Sequence, residues 1–324
     1  MRSAIPLGFV AILVLAAPIA AQDPGRASTP VSAEPQLERI ETLDLSVDRT
    51  QRMTVPVSIG GSGPYSFIVD TGSERTVISR ELADRLGLEA GRTATVFSMT
   101  EASRVDTVVI PQLEVGQRTI SDIHAPALSR SNLGAEGMLG VDSLQSQRVE
   151  LDFVRDEMTV SPAQRAPQTP WPADTIVVTA RSRYGHLIIT DASFDEEPIV
   201  VIVDTGAQVT VGNDALRRRL ERRGRLGPLH PIEMMSVTGG TIIAEYGTAR
   251  RILIGNAGIR NMPVAFADVH PFRQLRLTRR PAILLGMDAM RLFDRVSFDF
   301  ANRRVRFVIH GDSQRATPVE VAAR

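Results

Sequence analysis

Two short apolar runs in this chain are followed by the same three residues. Residues 65–69 and 199–203 are rich in β-branched side chains, and each run is followed by Asp-Thr-Gly, at Asp70 and at Asp204. The runs have the length of strands, and Asp, Thr and Gly are residues that turns favour. The pattern therefore predicts, twice, a buried strand that enters a tight turn.

The pattern after each turn is also repeated. A second β-branched run follows at residues 76–78 and 209–211. Helical spacing of apolar residues comes next, over 80–88 with a stop at Gly87 and over 214–223 behind a predicted cap at Asn213. The chain is therefore predicted to repeat the order strand, turn, strand, helix.

A second matched pair lies near the end of each half, where two apolar residues precede a glycine. The sequences are GMLGVD at 137–142 and ILLGMD at 283–288, so that Leu139 precedes Gly140 and Leu285 precedes Gly286. Glycine at such a place indicates that another backbone approaches closely. Strand-like stretches at 149–153 and 296–300 are predicted to finish the two lobes.

The duplication divides the 324 residues into two lobes of ordinary domain size. We place the N-terminal lobe at 36–160 and the C-terminal lobe at 173–310. Residues 161–172 contain four prolines and predict an extended linker, and 311–324 form a tail.

The N-terminus has the order of a secretory signal peptide. A charged start is followed by an apolar run at 5–17 and by small residues, which predicts cleavage near Ala21, with 1–21 as signal peptide and 22–35 as disordered spacer. The run of 13 residues is shorter than the ~20 that a membrane-spanning helix needs. We therefore expect export to the periplasm or secretion, without a stable membrane anchor.

Composition narrows the chemistry that is open to the chain. It has no cysteine, and all 37 basic residues are arginine. Thiol nucleophiles, Schiff-base lysines and phosphate-loop lysines are excluded. Zero net charge and 5% aromatic residues argue against nucleic acid as a partner. Carboxylates, hydroxyls and imidazoles remain.

The two aspartates could form a catalytic pair. Asp70 and Asp204 are 134 residues apart at equivalent places, and a pseudo-twofold axis between the lobes would bring them face to face. Two carboxyl groups in contact share one proton, because both cannot ionise cheaply. One can then act as a base while the other acts as an acid.

The two motifs resemble those of the aspartic peptidases of the retropepsin and pepsin type, over about residues 54–309. The resemblance implies a mainly β fold of two pseudo-symmetric, retropepsin-like acid-protease barrel lobes with short helices and an active-site cleft between them. It also implies an aspartic endopeptidase, monomeric because one chain supplies the whole pseudo-dimer. Such an enzyme uses a water molecule on a polypeptide substrate, without metal or cofactor.

Residue roles follow from the resemblance. Asp70 and Asp204 would be catalytic, and Thr71 and Thr205 would hydrogen-bond across the lobes. Ser73 faces Ala207 in the motif comparison, which predicts a hydroxyl near only one carboxylate and different proton affinities. The remaining residues support the turns or the segment packed behind them: Gly72, Gly206, Leu139, Gly140, Leu285 and Gly286.

The family also covers its cleft with a hairpin flap, for which residues 97–106 and 236–246 are the candidates. Only the second has the expected glycines, with Thr238 preceding Gly239 and Gly240, and both glycines are expected at positive φ. This difference argues against a symmetric pair of flaps.

Other interpretations stay open or are excluded. A duplicated peptidase fold could serve as a non-catalytic binding or assembly module. Aspartyl-phosphate chemistry is excluded because the motif has Thr after Asp and the chain lacks lysine. A metal site is disfavoured because the five histidines have no short paired spacing. The arginines of 217–225 indicate a solvated helix face rather than a site for anionic lipid.

Overall fold

The computed structural model describes residues 41–44, 46–47, 53–99, 102–116, 118–144, 147–163, 175–183, 186–309 and 319–322. All of these belong to one unit, Glu38–Arg324. The predicted signal peptide (1–21) and spacer (22–35) lie outside the described residues, as do residues 164–172 of the predicted linker.

The first half consists of thirteen strands and three short helices within the described ranges. In chain order they are β1 Glu41–Asp44, β2 Ser46–Val47, β3 Met53–Ile59, β4 Ser62–Val69, β5 Val77–Ser79, α1 Arg80–Leu86, β6 Glu89–Ala90, β7 Ala94–Phe97, β8 Ala102–Val105, β9 Thr107–Val115, β10 Arg118–Leu128, α2 Arg130–Leu133, β11 Gly137–Leu139, α3 Val141–Leu144, β12 Gln147–Asp152 and β13 Glu157–Pro162.

The second half repeats much of this order. It contains β14 Thr175–Thr179, β15 Arg181–Arg183, β16 His186–Ile189, β17 Ala192–Phe194, β18 Glu197–Pro198, β19 Val200–Val203, β20 Val211–Gly212, α4 Asp214–Arg222, β21 His230–Met235, β22 Thr241–Ile254, β23 Ala257–Phe266, α5 His270–Gln274, β24 Ala282–Leu285, α6 Met287–Met290, β25 Arg295–Asp299, β26 Arg304–Val308 and β27 Val319–Ala322.

The predicted helices after the Asp-Thr-Gly turns are confirmed, and their boundaries have local causes. Ser79 caps α1 by accepting a hydrogen bond from the amide of Leu82, and Gly87 ends the helix with φ 61°. Asn213 caps α4 in the same way through the amide of Leu216. Four further short helices that the sequence did not predict, α2, α3, α5 and α6, are also present.

Each half is built on the same order of strands, which confirms the mainly β, duplicated fold. In the first half the order is β3-β4-β11-β5-β10-β9, and β3 also pairs with β9, so that six strands close into a barrel. The corresponding strands of the second half follow as β16-β19-β24-β20-β23-β22. Barrel closure leaves the first half with few free strand edges.

A third sheet joins the two halves. Its order is β1-β13-β12-β25-β26-β14, and β12 pairs antiparallel with β25, with Val149 opposite Phe298. The strand-like endings that we assigned to separate lobes therefore form one continuous sheet. Val149, Leu151, Val296 and Phe298 are buried in it, and burial of their apolar side chains stabilises the junction.

Arginines of α4 form ion pairs on the surface of the helix. On α4, Arg217 pairs with Asp214, Glu221 and Glu245, which is the arrangement of a solvated, ion-paired helix face.

In the tail, the structure has a strand that the sequence did not predict, β27, which lies parallel to β23. Within the described ranges, no helix is both long enough and apolar enough to cross a bilayer.

Candidate active site

The two aspartates leave equivalent strands at equivalent points. Asp70 follows β4, which runs parallel to β11, and Asp204 follows β19, which runs parallel to β24. The amide of Asp70 donates to the carbonyl of Leu139 at 3.0 Å, and that of Asp204 donates to the carbonyl of Leu285 at 3.1 Å. Leu139 and Leu285 therefore hold the start of each turn.

The threonines of the two turns bind each other across the halves. The amide of Thr71 donates to the hydroxyl of Thr205 at 2.9 Å, and the amide of Thr205 donates to the hydroxyl of Thr71 at 3.2 Å. Both residues are fully buried. The turns are thus held at one fixed separation, because buried polar groups lose much free energy when they lose their partners.

The carboxyl groups of Asp70 and Asp204 form a hydrogen-bonded pair. Asp70 is 7% exposed, and Asp204 is partly exposed. Burial raises the pKa of Asp204 well above its usual value, and the neighbouring charge of Asp70 and the hydrogen bond between the groups act in the same direction. A pair of this kind holds one proton between two carboxylates.

Backbone amides orient both carboxylates. Asp70 Oδ1 accepts hydrogen bonds from the amides of Gly72 at 2.7 Å and Ser73 at 3.1 Å. Asp204 accepts from the amides of Gly206 at 2.9 Å and Ala207. The two turns therefore present the carboxyl groups in nearly the same way.

The turn glycines are required by the close approach of the partner aspartate. A Cβ on Gly72 would overlap the carboxyl group of Asp204, and a Cβ on Gly206 would overlap that of Asp70. Any larger residue would push the carboxyl groups apart, so the two glycines allow the pair to form.

The hydroxyl of Ser73, which Ala207 lacks, has a backbone partner in its own turn. The hydroxyl of Ser73 donates to the carbonyl of Arg75 at 2.7 Å, so its single hydrogen is not directed at Asp70. The predicted difference in proton affinity between the two carboxyl groups stays a prediction.

Gly140 and Gly286 lie where a second backbone passes behind each turn. A Cβ on Gly140 would overlap the backbone of Arg75, and one on Gly286 would lie 2.7 Å from the carbonyl carbon of Val209. The segments after β11 and β24 can therefore pack directly against the chain that leaves each Asp-Thr-Gly turn.

A hydrogen-bonded Thr–Asp pair, whose threonine is buried, supports each turn, and sequence reasoning missed both pairs. The hydroxyl of Thr76 donates to Asp142 Oδ1 at 2.7 Å, and that of Thr210 donates to Asp288 Oδ1 at 2.7 Å. Each threonine lies six residues after its Asp-Thr-Gly aspartate, and each acceptor lies two residues after Gly140 or Gly286. This repeated spacing was the available signal.

These pairs also tie the glycine segments to the turns. The amide of Gly140 donates to the hydroxyl of Thr76 and that of Gly286 to the hydroxyl of Thr210, both at 3.2 Å. Burial raises the pKa of Asp288, against hydrogen bonds from Thr210 and Ala289 that lower it.

Both flap candidates form hairpins, although only the second has glycines at its tip. The first hairpin is β7 with β8, and the second is β21 with the first part of β22. Their tips meet, since the hydroxyl of Thr238 donates to that of Ser98 at 3.0 Å.

The tip of the second hairpin differs from the prediction in one glycine. Gly239 has φ 90°, as expected, whereas Gly240 is not at positive φ. The carbonyl of Gly240 instead accepts a hydrogen bond from the amide of Ser236 at 2.8 Å. One left-handed residue is therefore enough to turn this chain.

Within the part of the chain that the structure describes, no cluster of potential metal ligands lies at the Asp70/Asp204 pair or elsewhere. No group of three or more His, Asp or Glu side chains there is arranged to hold an ion.

Comparison with known proteins gives one finding. A family model described as "Aspartyl protease" matches residues 55–143 and 190–289. The first matched segment contains Asp70, and the second contains Asp204. No curated protein matches the chain.

Proposed function

The chain belongs to the aspartyl protease family, and we propose that it is an aspartic endopeptidase whose Asp70/Asp204 dyad activates a water molecule to hydrolyse peptide bonds. The observation that carries the proposal is the geometry of the two turns: their threonines bind each other across the halves, and each turn glycine lies against the carboxyl group of the opposite aspartate, so that the two carboxyl groups adjoin. The raised pKa of Asp204 agrees with this arrangement. A binding module would have no need to keep two acidic groups in such costly contact.

The proposed reaction uses the two carboxyl groups in opposite protonation states. We propose that Asp70 begins as the ionised base and Asp204 as the protonated acid. Asp70 takes a proton from the water as its oxygen attacks the peptide carbonyl carbon, while protonated Asp204 donates to the carbonyl oxygen and stabilises the developing charge. The product of this step is a tetrahedral diol.

Collapse of the diol completes the reaction. The proton gained by Asp70 passes to the peptide nitrogen, the C–N bond breaks, and the remaining hydroxyl proton returns to Asp204 as the new carboxylic acid forms. The dyad is then as it began, with one shared proton. No covalent intermediate forms on the protein.

The location and state of the enzyme are part of the proposal. The charged, apolar and small-residue order of the N-terminus supports export, to the periplasm or outside the cell. Because both aspartates belong to one chain and the threonine contacts join its own halves, we propose that the monomer is active on polypeptide substrates.

The decisive experiment incubates the purified protein with a diverse peptide mixture and identifies new termini by mass spectrometry. Asp70→Asn and Asp204→Asn should each abolish cleavage, since an amide cannot make either proton transfer. Asp84→Asn is the control, because Asp84 is exposed on α1. Peptides retained without cleavage by the unmodified protein would instead identify a binding module.

A further inference from the structure

We propose that the second half carries a binding site for a phosphate group, built from arginines of α4 and of the loop before β24. The site is a cavity of about 310 Å³ lined by Ala215, Arg218, Arg219, Arg222, Arg279 and Pro281. This volume is at the lower end of the range of about 300–1,000 Å³ that small-molecule sites have. The inference does not depend on the Asp70/Asp204 pair or on peptide cleavage.

The helix contributes three arginines from one side of its surface. At about 3.6 residues per turn, Arg218, Arg219 and Arg222 fall within an arc of about 100°. Ala215 lies within the same arc, and its small side chain leaves room between the arginines. Arg217, which forms the ion pairs of the solvated helix face, lies outside the arc.

The fourth arginine is brought to the helix by Asn213, which is fully buried. The Nδ2 of Asn213 donates to the carbonyl of Leu277 at 2.9 Å and to that of Arg280 at 2.8 Å, on either side of Arg279. Its Oδ1 accepts a hydrogen bond from the amide of Leu216 and so caps α4. One side chain therefore ties the loop to the start of the helix, and the site is preorganised before a ligand binds.

Two of the four arginines have carboxylate partners. Arg218 pairs with Asp214 at 3.4 Å, and the Nε of Arg219 pairs with Glu197 at 2.6 Å. Glu197 is 2% exposed and also pairs with Arg223. The bond through Nε orients the guanidinium of Arg219 and does not use the hydrogens on its two terminal nitrogens, which can donate to a ligand.

The other two arginines, Arg222 and Arg279, are exposed and have no ion-pair partner among the residues that the structure describes. Four arginines and two carboxylates leave the cavity with an excess of two positive charges. A phosphate monoester carries about 1.5 to 2 negative charges at pH 7 and matches this excess, whereas a single carboxylate does not. Its oxygens can also accept paired hydrogen bonds from planar guanidinium groups.

A titration of the purified protein with inorganic phosphate, followed by NMR at low ionic strength, tests the site. Phosphate should bind more tightly than acetate at matched ionic strength. Arg222→Gln and Arg279→Gln should each weaken phosphate binding by about 2- to 5-fold, the worth of one exposed ion pair. The matched control is Arg155→Gln, which removes the same charge from an exposed position on the turn between β12 and β13.

Vesicles distinguish a lipid headgroup from free phosphate as the source of the ligand. Phosphatidic acid presents a phosphate monoester, whereas phosphatidylglycerol presents a phosphodiester with one negative charge. Binding to phosphatidic acid vesicles that the Arg222→Gln/Arg279→Gln protein loses would support the site with a lipid headgroup. Binding of inorganic phosphate without binding to vesicles would support it with a soluble phosphate compound.

Four results would overturn the proposal. These are no binding of either phosphate source, acetate binding as tight as phosphate binding, equal binding to vesicles of the two lipids, and an equal loss of phosphate binding in Arg155→Gln and in the variants of the cavity. Thermal unfolding without phosphate should be the same in all variants, because the substituted arginines are exposed. Phosphate should raise the midpoint of thermal unfolding of the unmodified protein more than that of the Arg222→Gln/Arg279→Gln protein.

Discussion

Thr71 and Thr205 exchange hydrogen bonds across the two halves of the chain, each amide donating to the other hydroxyl, at 2.9 and 3.2 Å. Each hydroxyl donates onward to a carbonyl of the opposite half, Thr205 to Val69 at 2.7 Å and Thr71 to Val203 at 3.3 Å. These bonds start one residue beyond the aspartates, so they set the distance between the carboxyl groups directly.

Thr205→Val should weaken both folding and cleavage. It removes an acceptor for the Thr71 amide and a donor to Val69 at a fully buried site, at a cost of about 1–3 kcal/mol. Urea unfolding and kcat measure the two effects. Thr205→Ser keeps the hydroxyl and should behave like the unmodified protein; equal losses in Ser and Val variants would argue against this role.

Asp204→Asn should make the protein more stable at neutral pH while it abolishes cleavage. The folded pKa of Asp204 is raised, so its favourable contribution is complete below the unfolded pKa and is lost as pH rises through the folded pKa. The amide avoids this loss. Urea unfolding of both proteins from pH 3 to pH 8 should show a gap that widens with pH, and a gap of constant size would contradict the prediction.

Asp288→Ala should lower kcat through the position of the turn. Asp288 accepts hydrogen bonds from the amide and hydroxyl of Thr210, six residues after Asp204. The Thr210 hydroxyl accepts a hydrogen bond from the amide of Gly286, and in the variant it has lost the carboxylate to which it donates. We expect the free energy of unfolding to fall by about 1–3 kcal/mol. Asp288→Asn keeps one acceptor oxygen and should lose less. Steady-state kinetics and thermal unfolding measure the difference.

His186 should make the protein less stable in acid. The side chain is buried, and burial lowers its pKa to about 4. Its folded pKa is depressed, so stability is complete above the unfolded pKa of about 6.5 and is lost as pH falls toward 4, by about 3 kcal/mol in all. His186→Phe should remove this slope in urea unfolding, whereas exposed His124→Phe should leave it; an unchanged slope in His186→Phe would contradict the assignment.

Gly286→Ala should destabilise the protein by about 1–3 kcal/mol, because its Cβ would lie 2.7 Å from the backbone of Val209 and one element must shift. Gly227→Ala is the matched control, since no atom lies within 4 Å of the added Cβ and φ is not positive there. Thermal unfolding compares them. Similar stability of the two variants would contradict the prediction, because it would mean that the backbone near Gly286 can shift at little cost in free energy.

Much of the site could be predicted from the sequence because its signals are local and occur twice. The Asp-Thr-Gly turns, the cap at Asn213 and the glycines at 140 and 286 each depend on a few neighbouring residues, whose strand period, capping chemistry or lack of a side chain can be read directly. The repetition then identified Asp70 and Asp204 as equivalent. Even the missed pairs, Thr76 with Asp142 and Thr210 with Asp288, repeat at one spacing.

What only the tertiary structure decided involves residues far apart along the chain. The pairing of β12 with β25, the first hairpin seated on α5, and the direction of the Ser73 hydroxyl depend on which surfaces meet once both halves have packed. A residue pattern of period two predicts that a strand is half-buried but not which of many similar strands lies beside it. The contacts of Met99 with His270 and of Ser98 with Thr238 likewise join residues far apart along the chain, and such contacts leave no mark in the local sequence.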